Sequence, residues 1–495
     1  MSKRISRSGQ QSQNRPPASG RRPTGRLTPS DVAASIKELI DFHHHFHAVF
    51  PRRELRYWSL FYLCGQLANL KCKTIEPMVL ALQGADRKTI RAVQRFISRD
   101  RWDIQTLLIQ LQALVAEWFG APDGVVIVDG SGFPKQGTYS VGVAPQYCGH
   151  LGKVANCQEG VFLVYVSSRG YAFLDTRLYL PECWFSEEYR TRWRACGIPK
   201  HVAFHTEPEL ALEMIGAIAR RAVIPFKWVT ADETYGKSPI FLDGIASLGK
   251  WCLVEVPANT RVWLRTPPVE SPGCNVLGRP RTKPRVRRTA PPPQELRDLV
   301  NQLPCSDWQR HRIKEGSKGP LIAEFAFLRV TMVLEQLPGS RGWAVFRRTL
   351  GPQPEVKFYL SNAPAYCPTT ELVRISGLRW PIETTLEEGK DEVGMDHYEI
   401  RSWHGWHHHI AHTFLAHLFL MRLRLRFKNS PALTTAQARQ IVARALEDDI
   451  ELLQNILAVV SYHQQRNHAA YCSHRKRTIS RSRWGRSRTL KREVS

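Results

Sequence analysis

The run Val125–Asp129 (VVIVD) limits this chain more than any other stretch. Its branched aliphatic residues follow one another without alternation, which predicts a strand buried on both faces of a covered sheet. The run ends on an acid, so a carboxylate is carried to the rim of a rigid apolar scaffold. With 43 % hydrophobic and 10 % aromatic residues the chain can fill large cores, and wholesale disorder is excluded. Its 495 residues allow about two to four domains.

Gly130-Ser131-Gly132 reads as a Gly-rich turn after that strand. Gly160–Ser168 and Tyr171–Leu180 predict a hairpin joined at Arg169-Gly170. Thr206-Glu207-Pro208-Glu209 is a capping box with proline in the first turn and opens a helix to about Ala222. A strand over Phe226–Ala231 ends on Asp232, and a helix near Ser238–Leu248 and a strand over Trp251–Val256 follow. Three strands, then helix, strand, helix and strand, is the ribonuclease H order. A doubly wound sheet would alternate strand and helix from the start.

The fold class expected is therefore multidomain α+β: a ribonuclease H-like mixed-sheet catalytic core with a β-rich insertion, flanked by helical N- and C-terminal regions. Residues 1–29 read as a disordered basic arm and 30–120 as a helical DNA-binding region. The core occupies 121–260 and 366–428. Between them, 261–365 holds a basic Pro-rich loop and strand-like runs over Ile322–Leu334, Gly342–Thr349 and Glu355–Leu360. Residues 429–473 give C-terminal helices and 474–495 a basic tail. In the N-terminal region, Asp86–Ile97 puts Ile90, Val93 and Ile97 on one stripe and Arg87, Lys88, Arg91 and Arg95 elsewhere. That is the shape of a helix lying against DNA, and equally of an amphipathic helix with a wet basic face.

Charge points the same way. Lys and Arg total 70 against 44 Asp and Glu, a net charge of +26. Residues 1–28 and 475–492 are rich in Lys and Arg and hold no acid, which suits solvated arms that release counterions from phosphates. No apolar run reaches the ~18–20 residues of a membrane span and no secretory signal opens the chain. Eleven cysteines without a Cys-x-x-Cys pair give neither a zinc spacing nor a disulfide framework, as in a reducing cytoplasm.

Three acids stand where a buried scaffold would present them. Asp129 and Asp232 end the first and fourth strands, and Glu383 lies in the first turn of a helix within RWPIETTLEEGK. In a ribonuclease H arrangement the two strands are neighbours and the helix crosses them, so the carboxylates converge. Such a trio suits two Mg²⁺ ions ~3.5–4 Å apart, holding both oxygens of an in-line phosphoryl displacement. Lys390 follows Glu383 by seven residues and shares its helix face, placed to grip a phosphate. Arg379 lies just upstream of regular helix, and Lys135 is a further candidate for DNA contact.

VDGSGFPKQG, ADETYG and RWPIETTLEEGKDEVGMDHYEIRSW together resemble the DDE transposases of bacterial insertion sequences. Within those the chain resembles the branch with a β-rich insertion before the final Glu and the signature Tyr-x2-Arg-x3-Glu-x6-Lys. Arg379, Glu383 and Lys390 fit that signature, whereas its Tyr position is Ser376. The resemblance implies that Asp129, Asp232 and Glu383 ligate two Mg²⁺ ions, with Mn²⁺ as a substitute, and that Arg379 and Lys390 contact phosphates. It implies cleavage at the terminal inverted repeats of double-stranded DNA and joining of the 3′ ends to target DNA. A homodimer in the synaptic complex and a cytoplasmic, nucleoid-associated location follow. The rivals are a metal-dependent nuclease without strand transfer and a DNA-binding derivative that has lost catalysis.

Other features read as structural. His43, His44, His45 and His47, and His404, His407, His408, His409 and His412, lack the Glu of a zinc-protease motif. The second group reads as a His/Trp surface near DNA. Glu387, Glu388, Asp391 and Glu392 read as a solvated face shared with Lys390.

Overall fold

The structure, a computed structural model, describes residues 27–83, 87–272, 282–316, 319–427 and 433–447, with 460–461, 464–465 and 467–476. The expected basic arm, apart from its last three residues, and nearly all of the basic tail lie outside the described residues.

Five helices open the fold: α1 (Pro29–His44), α2 (Arg53–Leu67), α3 (Ile75–Gln83), α4 (Arg87–Ser98) and α5 (Ile104–Phe119). Thr28 and Asp31 form the capping box that starts α1. The β-region follows with β1 (Val125–Pro134), β2 (Ala144–Cys148), β3 (Lys153–Ser167) and β4 (Gly170–Tyr179). After the short α6 (Arg190–Ala195) come α7 (Glu207–Arg221), β5 (Trp228–Ala231), α8 (Glu233–Gly236), α9 (Pro239–Ser247) and β6 (Trp251–Val256). As the sequence suggests, Thr206 and Glu209 close a capping box on α7.

The next segment contributes β7 (Arg261–Trp263), β8 (Val269–Glu270), β9 (Arg285–Val286), β10 (Gln294–Glu295), α10 (Leu296–Gln302) and β11 (Gln309–Gly316). Then come β12 (Gly319–Leu334), β13 (Leu337–Thr349) and β14 (Val356–Ser361). The helices α11 (Thr369–Ser376), α12 (Trp380–Val393), α13 (Trp403–Arg426) and α14 (Thr435–Leu446) follow, and the described residues 467–476 are helical.

The chain is a mixed α/β protein built on one twelve-stranded sheet, ordered β10-β7-β12-β13-β14-β6-β5-β1-β3-β2, with β4 on β3 and β11 on β12. Only β1–β5 and β5–β6 are parallel; the other pairs of this sheet are antiparallel. Val125, Val126, Ile127 and Val128 are fully buried, as an unbroken branched run at the middle of a covered sheet requires. One local expectation changes. Gly130-Ser131-Gly132 is strand, not turn, because β1 runs on beside β3 with Ser131 opposite Gly160. The insertion strands are antiparallel and continue the central sheet: β14 pairs with β6, Leu360 opposite Val254.

Helix α13 is buried on all sides between the N-terminal helices and the sheet. Phe414 stacks on Phe173 of β4 with centroids 4.4 Å apart. On the other side, the Thr413 hydroxyl accepts from Gln66 of α2 at 3.0 Å. Most of the expected His/Trp surface is therefore interior: His404 is exposed, but His407, His408, His409 and His412 are buried, and burial pushes the pKa of each of these four down to about 3.

Candidate active site where β5 leaves β1

The parallel pairing of β1 with β5 ends at Val128 opposite Ala231. The next residue on each strand is an acid. Asp129 continues along β1, while Asp232 turns the chain into α8, its Oδ1 accepting from the Thr234 N–H at 2.9 Å. A crevice therefore opens between neighbouring strands with one carboxylate on each side, both fixed by backbone.

Glu383 arrives in the first turn of α12, whose N-cap is Arg379 and whose second residue is Pro381. The Arg379 guanidinium donates to Glu383 Oε1 and to Glu255 Oε2 of β6, each at 3.3 Å. Lys357 of β14 holds the other oxygen of Glu255 at 3.0 Å. Burial alone would lower the Arg379 pKa, but Asp129, Asp232, Glu255 and Glu383 together raise it. One cation thus sits in the field of all three sequence-predicted acids. Lys390, on the same helix, donates to the Gly132 carbonyl of β1 at 3.4 Å.

Burial pushes the Asp129 pKa up to about 7, with repulsion from Asp232 and Glu383 adding to it and Arg379 and the Gly130 N–H opposing it. Two further carboxylates, which sequence reading missed, share this field. Glu159 of β3 is pushed up to about 8 by burial, then by Glu207 and Asp129, against Lys390. Glu207, in the first turn of α7, is pushed up to about 7 by burial and Asp232. In the sequence Glu207 is hidden inside a capping box whose capping carboxylate is Glu209, and no periodicity singles out Glu159.

The donor set is all carboxylate oxygen, the kind hard divalent cations take, and a cation would offset the burial and the repulsion that hold Asp129 up. Among the described residues no group of three His, Cys, Asp or Glu side chains is placed to hold a metal ion. Arg379 occupies the field between them instead.

The other predicted residues lie elsewhere. The Lys135 amine is engaged by the Tyr398 carbonyl at 3.2 Å and lies 3.4 Å from the centre of the Tyr398 ring, and burial lowers its pKa to about 8. Arg87, Lys88, Arg91 and Arg95 are exposed on α4, opposite buried Val93, Phe96 and Ile97. Arg91, Arg95, Arg99 and Arg401 line a cleft of about 710 Å³ that includes none of the acids above. Ser376 is buried, its hydroxyl donating to the Val373 carbonyl at 2.8 Å. The expected acidic face of α12 is only partly solvated. Glu387 and Asp391 are exposed, but Glu388 bonds to His417, Tyr171 and Thr435, and Glu392 pairs with Arg439 at 2.7 Å. Tertiary partners from α13, α14 and β4 reach over that side of the helix.

Comparison with known proteins fits this geometry. The chain is 24 % identical over 378 residues to a probable transposase for insertion sequence element IS701 from Microchaete diplosiphon, covering 76 % of this chain and 84 % of that one. A solved structure, the NurA nuclease from Sulfolobus solfataricus, aligns over 58 % of this chain and 86 % of its own with 12 % identity and a TM-score of 0.23, too slight a likeness to bear on the fold. Among the described residues no helix is long and apolar enough to cross a membrane. The profile of the DDE superfamily endonucleases matches residues 45–320, more than half of the sequence. That span takes in both strand-end aspartates, and the chain belongs to the DDE endonuclease superfamily.

Proposed function

We propose that this protein is an insertion-sequence transposase. It binds the terminal inverted repeats of its element, cleaves them by metal-dependent phosphoryl transfer and joins the freed 3′ ends to target DNA. The observation that carries this reading is the single guanidinium of Arg379 held in the combined field of Asp129, Asp232 and Glu383. Distant parts of the chain meet there. The likeness to a probable transposase supports the same reading, and the order β3-β1-β5-β6 supports a ribonuclease H-like core.

Asp129, Asp232 and Glu383 would hold two Mg²⁺ ions, or Mn²⁺ in their place. Bound there, the ions supply activation of the attacking oxygen and charge stabilisation at the leaving one. The chain's own residues position the rest. The Gly130 N–H donates to Asp129 and the Thr234 N–H to Asp232, which orients the two aspartates at the strand ends for an in-line arrangement. Arg379, released from Glu383 by the incoming phosphate, offers a fork matched to its oxygens. Lys390 adds a point charge on the β1 side. The exposed arginines of α4 and the basic arms would follow the duplex backbone, and handling two ends together calls for a homodimer in the synaptic complex.

The test supplies pre-cut element ends, a supercoiled target and Mg²⁺. Joined product is expected. Nicking without joining would make the protein a nuclease alone, and binding without either would make it a DNA-binding derivative. D232N is expected to abolish both steps; unchanged cleavage in that variant would refute the catalytic assignment.

A further inference from the structure

The inserted segment reaches the start of the helix that carries Glu383. In β11 the pairing with β12 steps from Arg312 opposite Ile322 to Lys314 opposite Leu321. Ile313 is thus an extra residue, a bulge of the kind that re-aims its neighbours' side chains. It is seated on the turn between α11 and α12, where a methyl group added to Gly377 would collide with its Cγ2. From β13, Arg347 donates to the Ser376 carbonyl of the same turn at 3.4 Å. Two inserted strands therefore grip the chain just before Arg379 and fix where α12 begins.

The residue after the bulge is a cation. The Lys314 amine lies 3.9 Å from the centre of the Trp380 ring, which opens α12 and is 41 % exposed. Lys357 and Arg379 share the Glu255 carboxylate; Lys314 meets an aromatic face. Such a contact is worth only about 0.5–1 kcal/mol at an exposed site, so an anion can take the amine over. Partial burial disfavours the charged amine, Glu383 attracts it and Arg347 repels it. Once Glu383 is engaged in the reaction its charge no longer serves Lys314, and an arriving phosphate supplies the anion in its place. Lys390 stands on the far side of Glu383, about 15 Å along α12 from Trp380 by helical rise. A DNA strand laid along α12 would meet a cation on each side of the carboxylate.

We propose that Lys314, carried by the inserted strand β11 and steadied on Trp380, binds a DNA phosphate beside Glu383, so that the insertion supplies part of the strand-holding surface of the active site. The inference rests on the transposase reading above and extends it to a residue outside the motifs that carry the three acids.

The experiment measures binding of a fluorescein-labelled duplex of the terminal inverted repeat to the full chain by anisotropy. D232N serves as the parent, so that the DNA stays intact, and phosphates around the cleavage site are replaced one at a time by uncharged methylphosphonates. Adding K314A is expected to weaken binding roughly tenfold and to lower the slope of log affinity against log salt by about one; K314R should restore most of both. At one position the methylphosphonate should cost D232N as much as K314A does, and cost D232N/K314A nothing further. Thermal melts check folding, and K314Q is read in place of K314A if that variant does not fold. Unchanged affinity, or losses that add at every position, would overturn the proposal. The reading beneath it fails differently: D232N binding the repeat no better than an unrelated duplex would remove end recognition itself, and this contact with it.

Discussion

The histidines of α13 and the carboxylates around β1 are both titratable groups shut inside the protein, yet they are treated in opposite ways. His412 bonds to Ser59 of α2 at 3.0 Å and to the His408 carbonyl at 3.1 Å. His409 bonds to Tyr62 at 2.7 Å and to the Met395 carbonyl at 3.0 Å, and His408 to the Ile97 carbonyl at 2.8 Å. These rings are neutral and partnered, and they join helices. Around β1, carboxylates face other carboxylates, the Tyr235 hydroxyl and Arg379 Nε have no partner, and Glu383 is half-exposed. These partnered rings build the scaffold, whereas the carboxylates gathered around β1 mark where something else binds.

The largest effect that would break this contrast is on chemistry. D129N is expected to lower strand cleavage roughly 10³-fold or more without lowering the melting temperature, because it removes one of several repelling charges. A melting temperature that fell sharply would put Asp129 among the scaffold groups. Next is Glu388, a carboxylate on the same helix as Glu383 but answered by His417, Tyr171 and Thr435. E388A is expected to lose about 3 kcal/mol in urea denaturation, and E383Q almost nothing. Equal losses would erase the distinction.

Acidity pulls the two regions in opposite directions. The histidines have folded pKa values lowered to about 3, so their contribution is present above the unfolded value of 6.5 and is lost as pH falls towards 3. The limiting slope is about 1.4 kcal/mol per pH unit for each ring. Asp129, Glu159 and Glu207 have raised values of about 7 to 8. Their contribution is present below the unfolded carboxylate range and is lost as pH rises through 7 to 8. Urea melts of chelator-treated protein across this range should show D129N flattening the alkaline side alone; a flattened acid side would contradict the assignment. The smallest effect concerns α4: R91A/R95A should reduce the slope of log affinity against log salt by about one per lost phosphate contact. An unaltered slope would return that helix face to plain solvation.

Much of the scaffold was legible from local signals. The branched runs marked β1, β5 and β6, the capping box marked α7, and Pro381 marked the start of α12. The elements carrying Asp129, Asp232 and Glu383 followed from these. What could not be read was set by distant segments. Gly130–Gly132 looks like a turn until β3 is laid beside it. Glu159 and Glu207 join the site only through the packing of β3 and α7 against β1. The α13 histidines look like surface until α2 covers them with Ser59 and Tyr62.

The pairing of β14 with β6, Leu360 opposite Val254 and Phe358 opposite Val256, has a practical corollary for anyone trimming this protein. Excising the inserted strands would not release a tidy module. It would bare a row of backbone donors and acceptors along β6, one strand away from the strand that ends on Asp232. Such a naked rim invites another copy to zip on, so a shortened variant should come out of solution as clumps before its chemistry can be tried.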